Sequence, residues 1–112
     1  MEKNQSELKF KVTLDENKVP EKIEWEASDM DEQSACKAVM VSLWDANEKN
    51  TLRIDLWTKD MYVEEMKMFF HQSILTMSDA FERSTGETQL ASEMREFGRH
   101  LAEKMGLIKT EG

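Results

Sequence analysis

Few residues in this chain are of the kinds and spacings that do chemistry. His71 and His100 are the two histidines, and His100 stands four residues after Glu96 and three before Glu103. On a helix those spacings place the imidazole beside either carboxylate, which is the start of a chelate. The same spacings serve equally for surface ion pairs, and that reading is preferred for both histidines. Cys36 is the single cysteine, so it has no disulfide partner within the chain, and Ser-Ala-Cys-Lys offers no histidine to activate a thiolate. It reads as a small apolar residue at a strand start. Asp29-Met-Asp-Glu32 has cation-loop composition but lacks the glycine and the later bidentate glutamate of a calcium loop, so it reads as solvated acid. Arg53 and Asp55 lie two apart on a predicted strand and project to one face, where they form an ion pair or orient a ligand. Phosphate-cradling glycine loops, a nucleophile elbow and Cys-x-x-Cys are absent from the sequence. No catalytic, cofactor-binding or metal-binding residue is expected.

The elements that carry these residues follow from periodicity. Leu8, Phe10, Val12 and Leu14 alternate with polar residues, as in a half-buried strand. A turn over residues 15–18 leads to a second strand containing Val19, Ile23, Trp25 and Ala27. A register of Leu14 with Val19, Phe10 with Ile23 and Leu8 with Trp25 sets apolar on apolar and leaves Lys9, Lys11, Lys22, Glu24 and Glu26 to solvent. Residues 28–34 form an acidic loop. The second hairpin pairs Leu43 with Leu52, Val41 with Ile54 and Val39 with Leu56, because a one-residue slip would set Leu43 against Arg53. Its other face then carries Met40, Ser42, Trp44, Arg53, Asp55 and Trp57.

From Met61 the period becomes 3.6. Val63, Met66, Phe70, Ile74, Met77 and Phe81 make one predicted buried stripe, with Asp60 as N-cap and Gly86 as stop. Thr88 is the expected cap of a second helix with the stripe Leu90, Met94, Phe97, Leu101 and Met105. Gly106 ends it, Leu107 and Ile108 fold back on its last turn, and Ala91, Gly98 and Ala102 permit a close neighbour. The expected fold is α+β, a single domain over 1–112 ordered from about 7 to 108. Two β-hairpins form one four-stranded antiparallel sheet, and two C-terminal helices pack on one of its faces.

Composition bounds the function. A chain of 112 residues can bury about 60–70% of its unfolded surface without disulfides or metal. Fifteen basic against twenty-three acidic side chains give a net charge of −8, which disfavours nucleic acid and anionic membranes. The polar N-terminus and the lack of a long apolar run give no secretion signal or membrane insertion, and the lone cysteine suits a reducing compartment, so a cytoplasmic location is expected. Nine methionines suit irregular cores and adaptable surfaces.

The segments KAVMVSLWD, LRIDLWTKDM and EEMKMFFHQSILTMSDAFERSTG, together with VTLDENKVPEKIEWEA, resemble the gliding-motility protein GldC family of Bacteroidetes over residues 7 to 105. The resemblance implies a part in gliding motility, with partners in that apparatus or the associated secretion apparatus, and it carries no functional residue across. The expectation is a non-enzymatic accessory protein that needs no cofactor. It binds protein through the face of Met40, Trp44, Arg53, Asp55 and Trp57, with a homodimer as one form of association. Two alternatives stand beside it. One is a secretion-chaperone-like protein holding a client, and the other is a small-ligand binder or enzyme using Arg53 and Asp55.

Overall fold

A computed structural model describes residues 4–28 and 34–108. The chain divides into two compact units, Met1–Met61 and Tyr62–Gly112. The first holds the strands β1 (Leu8–Leu14), β2 (Pro20–Ala27), β3 (Ser34–Cys36), β4 (Ala38–Trp44) and β5 (Thr51–Trp57), and the second holds the helices α1 (Val63–Thr85) and α2 (Thr88–Met105). The fold class is α+β, as expected. The acidic segment 29–32 and the two chain ends lie outside the described residues.

The expected four-stranded sheet is replaced by two separate sheets, β1-β2-β3 and β4-β5, all neighbours antiparallel. The cause is an interruption at Lys37. Residues 34–36 pair with β2, Ile23 opposite Cys36, and after Lys37 the strand resumes as β4 and pairs with β5. Thr58 locks this switch. Its buried backbone N–H donates to Lys37 O at 2.8 Å, while Lys59 N–H donates to Pro20 O at 3.0 Å, tying the end of β5 to the start of β2.

The β4-β5 register is the expected one, with Leu43, Val41 and Val39 opposite Leu52, Ile54 and Leu56. The β1-β2 register differs by two residues: Leu8 faces Ala27, Phe10 faces Trp25 and Val12 faces Ile23, with an irregularity between Thr13 and Leu14. A two-residue shift keeps the same side chains on the same face, so hydrophobicity alone does not distinguish the two registers. Charge does. The observed register sets Lys9 opposite Glu26 and Lys11 opposite Glu24, whereas the expected one would have set Lys11 against Lys22.

Both hairpin turns use one device. Asp15 Oδ1 accepts the N–H of Asn17 at 2.8 Å and of Val19 at 3.0 Å, and Asp45 Oδ1 accepts the N–H of Asn47 at 2.8 Å and of Glu48 at 3.1 Å. Each turn then closes through a lysine in the left-handed region, Lys18 at φ 62° and Lys49 at φ 55°. These amide bonds favour the ionised aspartates and lower both pKa values. For Asp15 the Val19 amide contributes most, followed by the hydrogen bond from Lys59, and for Asp45 the Glu48 amide precedes that of Asn47.

In the second unit α1 begins two residues later than expected. Tyr62, not Asp60, is the N-cap, and Glu65 Oε1 accepts the Tyr62 N–H at 2.9 Å. Asp60 is engaged elsewhere, with its Oδ1 at 2.5 Å from Thr58 Oγ1. Likewise Glu87, not Thr88, caps α2. Gly86 and Gly106 end the helices at φ 74° and 77°, where a side chain would be strained.

The helix seam is made by small residues, among them Ala91, Gly98 and Ala102, where a close neighbour was expected. Ser78, Ala91, Gly98 and Ala102 are the buried positions on the two helices. A Cβ on Gly98 would lie 3.1 Å from Leu75 Cδ2 and 3.2 Å from Ile74 Cγ2, so the helices approach through that gap. Of the stripes predicted to be buried, Val63, Phe70, Met77, Leu90 and Phe97 are exposed. Leu107 N–H donates back to Ala102 O at 2.8 Å, the expected fold-back, although Ile108 stays exposed.

Candidate functional site

The β4-β5 ribbon places Met40, Ser42 and Trp44 on one face together with Arg53, Asp55 and Trp57, because all six are on the alternation opposite to Val41 and Ile54. The centre of the face is organised around the Arg53 guanidinium. Its Nε and Nη2 donate to the two Asp55 carboxylate oxygens at 3.3 and 2.9 Å, Nη1 donates to Ser42 Oγ at 3.3 Å, and Nη2 lies 3.4 Å from Met40 Sδ. The hydrogen bonds from the guanidinium to Asp55, reinforced by the opposite charge, raise the Arg53 pKa. A fork held on three sides is oriented before any partner arrives.

The two tryptophans do not meet. Trp44 stands opposite Thr51 and Trp57 opposite Ala38, six residues apart along the ribbon, which is about 20 Å at strand spacing. They bracket the ion pair, one at each end, with 68% and 55% of their surface exposed. Two exposed aromatics around a fixed polar centre have the composition of a protein-binding surface.

The remaining residues singled out by the sequence are dispersed. His71 is half-buried on α1 and His100 exposed on α2. The carboxylates that could chelate with His100 are both taken by Arg99, whose Nε donates to Glu96 at 2.6 Å and whose Nη1 donates to Glu103. Among the described residues no three histidine, cysteine or acidic side chains converge. Cys36 ends β3 half-buried, and burial pushes its thiol pKa up, away from the reactive thiolate.

A second surface was not read from the sequence. Ile74, Met77 and Phe81 of α1 with Leu90, Met94 and Phe97 of α2 line a shallow, almost wholly apolar groove of about 560 Å³, with Glu93 at its rim. It arises because small residues fill the seam and leave the large ones beside it. The spacing of Ala91, Gly98 and Ala102 was the available signal. Arg95 clamps the hairpin, reaching Asp79 at 2.8 Å and Glu82 at 2.7 Å.

Among the described residues no helix is long and apolar enough to cross a membrane. A family model for gliding motility-associated GldC-like proteins matches residues 20–107. No curated protein and no solved structure matches the chain.

Proposed function

Since the chain belongs to the gliding motility-associated GldC-like family, we propose that it is a non-enzymatic accessory protein of the motility machinery, cytoplasmic and acting by binding another protein. The binding face is that of Met40, Trp44, Arg53, Asp55 and Trp57. The observation that carries this reading is the pair of exposed tryptophans flanking a pre-oriented Arg53–Asp55 fork. Desolvating an indole is the kind of contact on which most binding energy concentrates, and the fork supplies register without costing side-chain entropy on association. The shifts of Asp15, Asp45, Arg53 and Arg95 come from turn amides and surface ion pairs, interactions that a stable fold uses without catalysis, and catalysis is the weaker alternative.

The test is a pull-down from native cells, with bound proteins identified by mass spectrometry. Wild type should retain a specific protein of the motility apparatus, and a Trp44→Ala/Trp57→Ala variant that keeps the wild-type circular dichroism should lose it. Equal retention by both would remove this face as the site.

A second reading is favoured by the helical groove. A client-holding, chaperone-like protein would seat an apolar segment against Met77, Phe81, Met94 and Phe97, where thioethers adapt to varied sequences. It predicts that Phe97→Ser, and not the tryptophan substitutions, abolishes capture of the same protein.

A further inference from the structure

The outer edge of β5 is the place where the strands invite a specific partner. The β4-β5 sheet has two strands, so among the described residues no strand pairs with that edge. Which groups line it follows from the hydrogen bonds that flank the ribbon. Thr58 N–H donates to Lys37 O and Asp45 N–H donates to Asn50 O, both on the β4-β5 register. Antiparallel ladders alternate hydrogen-bonded and non-hydrogen-bonded pairs. The pairs Val39/Leu56, Val41/Ile54 and Leu43/Leu52 therefore exchange their bonds within the ribbon. The N–H and C=O groups of Thr51, Arg53, Asp55 and Trp57 point outward. Lys59, next in the same alternation, is satisfied by Pro20 O, which closes the edge just beyond Trp57.

The sequence of β5, Thr-Leu-Arg-Ile-Asp-Leu-Trp, is complementary to itself when reversed. In a two-fold antiparallel pairing about Ile54, Arg53 stands opposite Asp55 of the second copy and Asp55 opposite its Arg53. Leu52 meets Leu56, Ile54 meets its own copy, and Thr51 meets Trp57. Moving the axis to Arg53 would set arginine on arginine, and moving it to Asp55 would set aspartate on aspartate. Like charges directly opposite are destabilising, so the register is specified by charge. The outward groups of the Ile54-centred pairing are the ones that must meet, since Arg53 and Asp55 both present their amides to the edge. The free edge of β4 has no such preference, because Met40 and Ser42 flank its centre and carry no charge.

We propose that a second copy of this chain pairs with the outer edge of β5, giving a continuous four-stranded sheet, β4-β5-β5-β4, across a two-fold axis at Ile54. Each Arg53 then lies between its own Asp55, already at 2.9 Å, and the Asp55 opposite, so the two forks merge into one alternating set of four charges. The half-exposed apolar face of Leu52 and Ile54 is doubled and made continuous. Two-stranded ribbons are marginal in water, whereas four paired strands with an apolar face are not. This pairing uses the backbone edge of β5 and does not depend on the motility assignment.

The experiment is sedimentation equilibrium of the full chain with amide hydrogen exchange on the same samples. Wild type should sediment as a species of twice the 13.1 kDa chain mass. Arg53→Asp and Asp55→Arg should each weaken association at least about tenfold, since each sets like charges opposite at two symmetric positions. An equimolar mixture of the two variants should recover the dimer as a heterodimer, and the doubly exchanged chain should dimerise as wild type does. Exchange needs no variant. The amides of Arg53 and Asp55 should gain protection as concentration rises, while those of Ile54 and Leu56 are protected throughout. A wild-type monomer at all concentrations, a dimer indifferent to both reversals, or outward amides that never gain protection would each overturn the proposal.

Discussion

The helical hairpin and the β4-β5 ribbon reach association from opposite directions. The hairpin is closed on itself: Ser78, Ala91, Gly98 and Ala102 bring α1 and α2 together, Arg95 clamps them, and glycines in the left-handed region end both helices. The ribbon is open. It has large side chains exposed on both faces, Leu43, Leu52 and Ile54 on one and Trp44 and Trp57 on the other, and its register and turn are nonetheless well specified. Close packing by small residues makes a hairpin that holds itself, while pairing by backbone hydrogen bonds leaves most side chains of β5 and the far half of β4 exposed. The ribbon is thus the element whose own interactions end soonest and whose free surface is best ordered.

That contrast can be broken by substitution. The largest effect is expected at Ile23, among the described residues the one large apolar side chain that is fully buried. Ile23→Ala should cost about 3 kcal/mol through lost transfer and the cavity left behind, measured by urea denaturation. The stability of the strand unit would then reside in β2 and not in the ribbon. Next is Gly98→Leu. Even a Cβ there would meet Leu75 and Ile74 at 3.1–3.2 Å, so the helices must separate, at about 2 kcal/mol. A substitution tolerated at Gly98 would mean that the hairpin seam is not closed.

Acid gives a smaller effect with a defined sign. Asp15 and Asp45 have folded pKa values lowered by the amides they accept, with Lys59 also acting on Asp15. A carboxylate with a depressed folded pKa stabilises above its unfolded pKa, and this is lost as pH falls through the folded value. The urea midpoint should therefore fall as the pH drops below about 4, and an Asp15→Asn/Asp45→Asn variant should show less of that fall. The smallest change is expected at the surface. Trp44→Ala and Trp57→Ala should each alter stability by no more than about 0.5 kcal/mol. A loss as large as that at Gly98 would make the tryptophans structural and erase the contrast between the two regions.

The legibility of this fold varied with what each residue had to distinguish. The β4-β5 register was readable because the competing slip would have set Leu43 on Arg53, an error of face and charge at once. The β1-β2 register was not readable from apolar residues, since a two-residue shift preserves every face. The decisive signal was Lys11, which avoids Lys22 and meets Glu24. The switch of sheets at Lys37 left no mark, because neither proline nor glycine interrupts the segment and the Thr58 and Lys59 bonds that tie it are distant in sequence. Helical periodicity found both helices and their glycine stops, while both N-caps differ from those expected. It marked Ala91, Gly98 and Ala102 as the place of close approach, which the seam uses, but it expected burial of large stripe residues such as Phe97 that the structure leaves exposed. The face of Met40, Trp44, Arg53, Asp55 and Trp57 was legible from alternation alone, but the distance between its tryptophans required the register.

The most direct measurement is site-specific photo-crosslinking in native cells, with a benzophenone amino acid replacing Trp44 or Trp57 on the ribbon and, as a control, Lys11 on the outer face of β1. Binding through the ribbon predicts discrete adducts with one protein from both tryptophan positions and none from Lys11. Adducts from Lys11 alone, or the same adducts from all three positions, would contradict it.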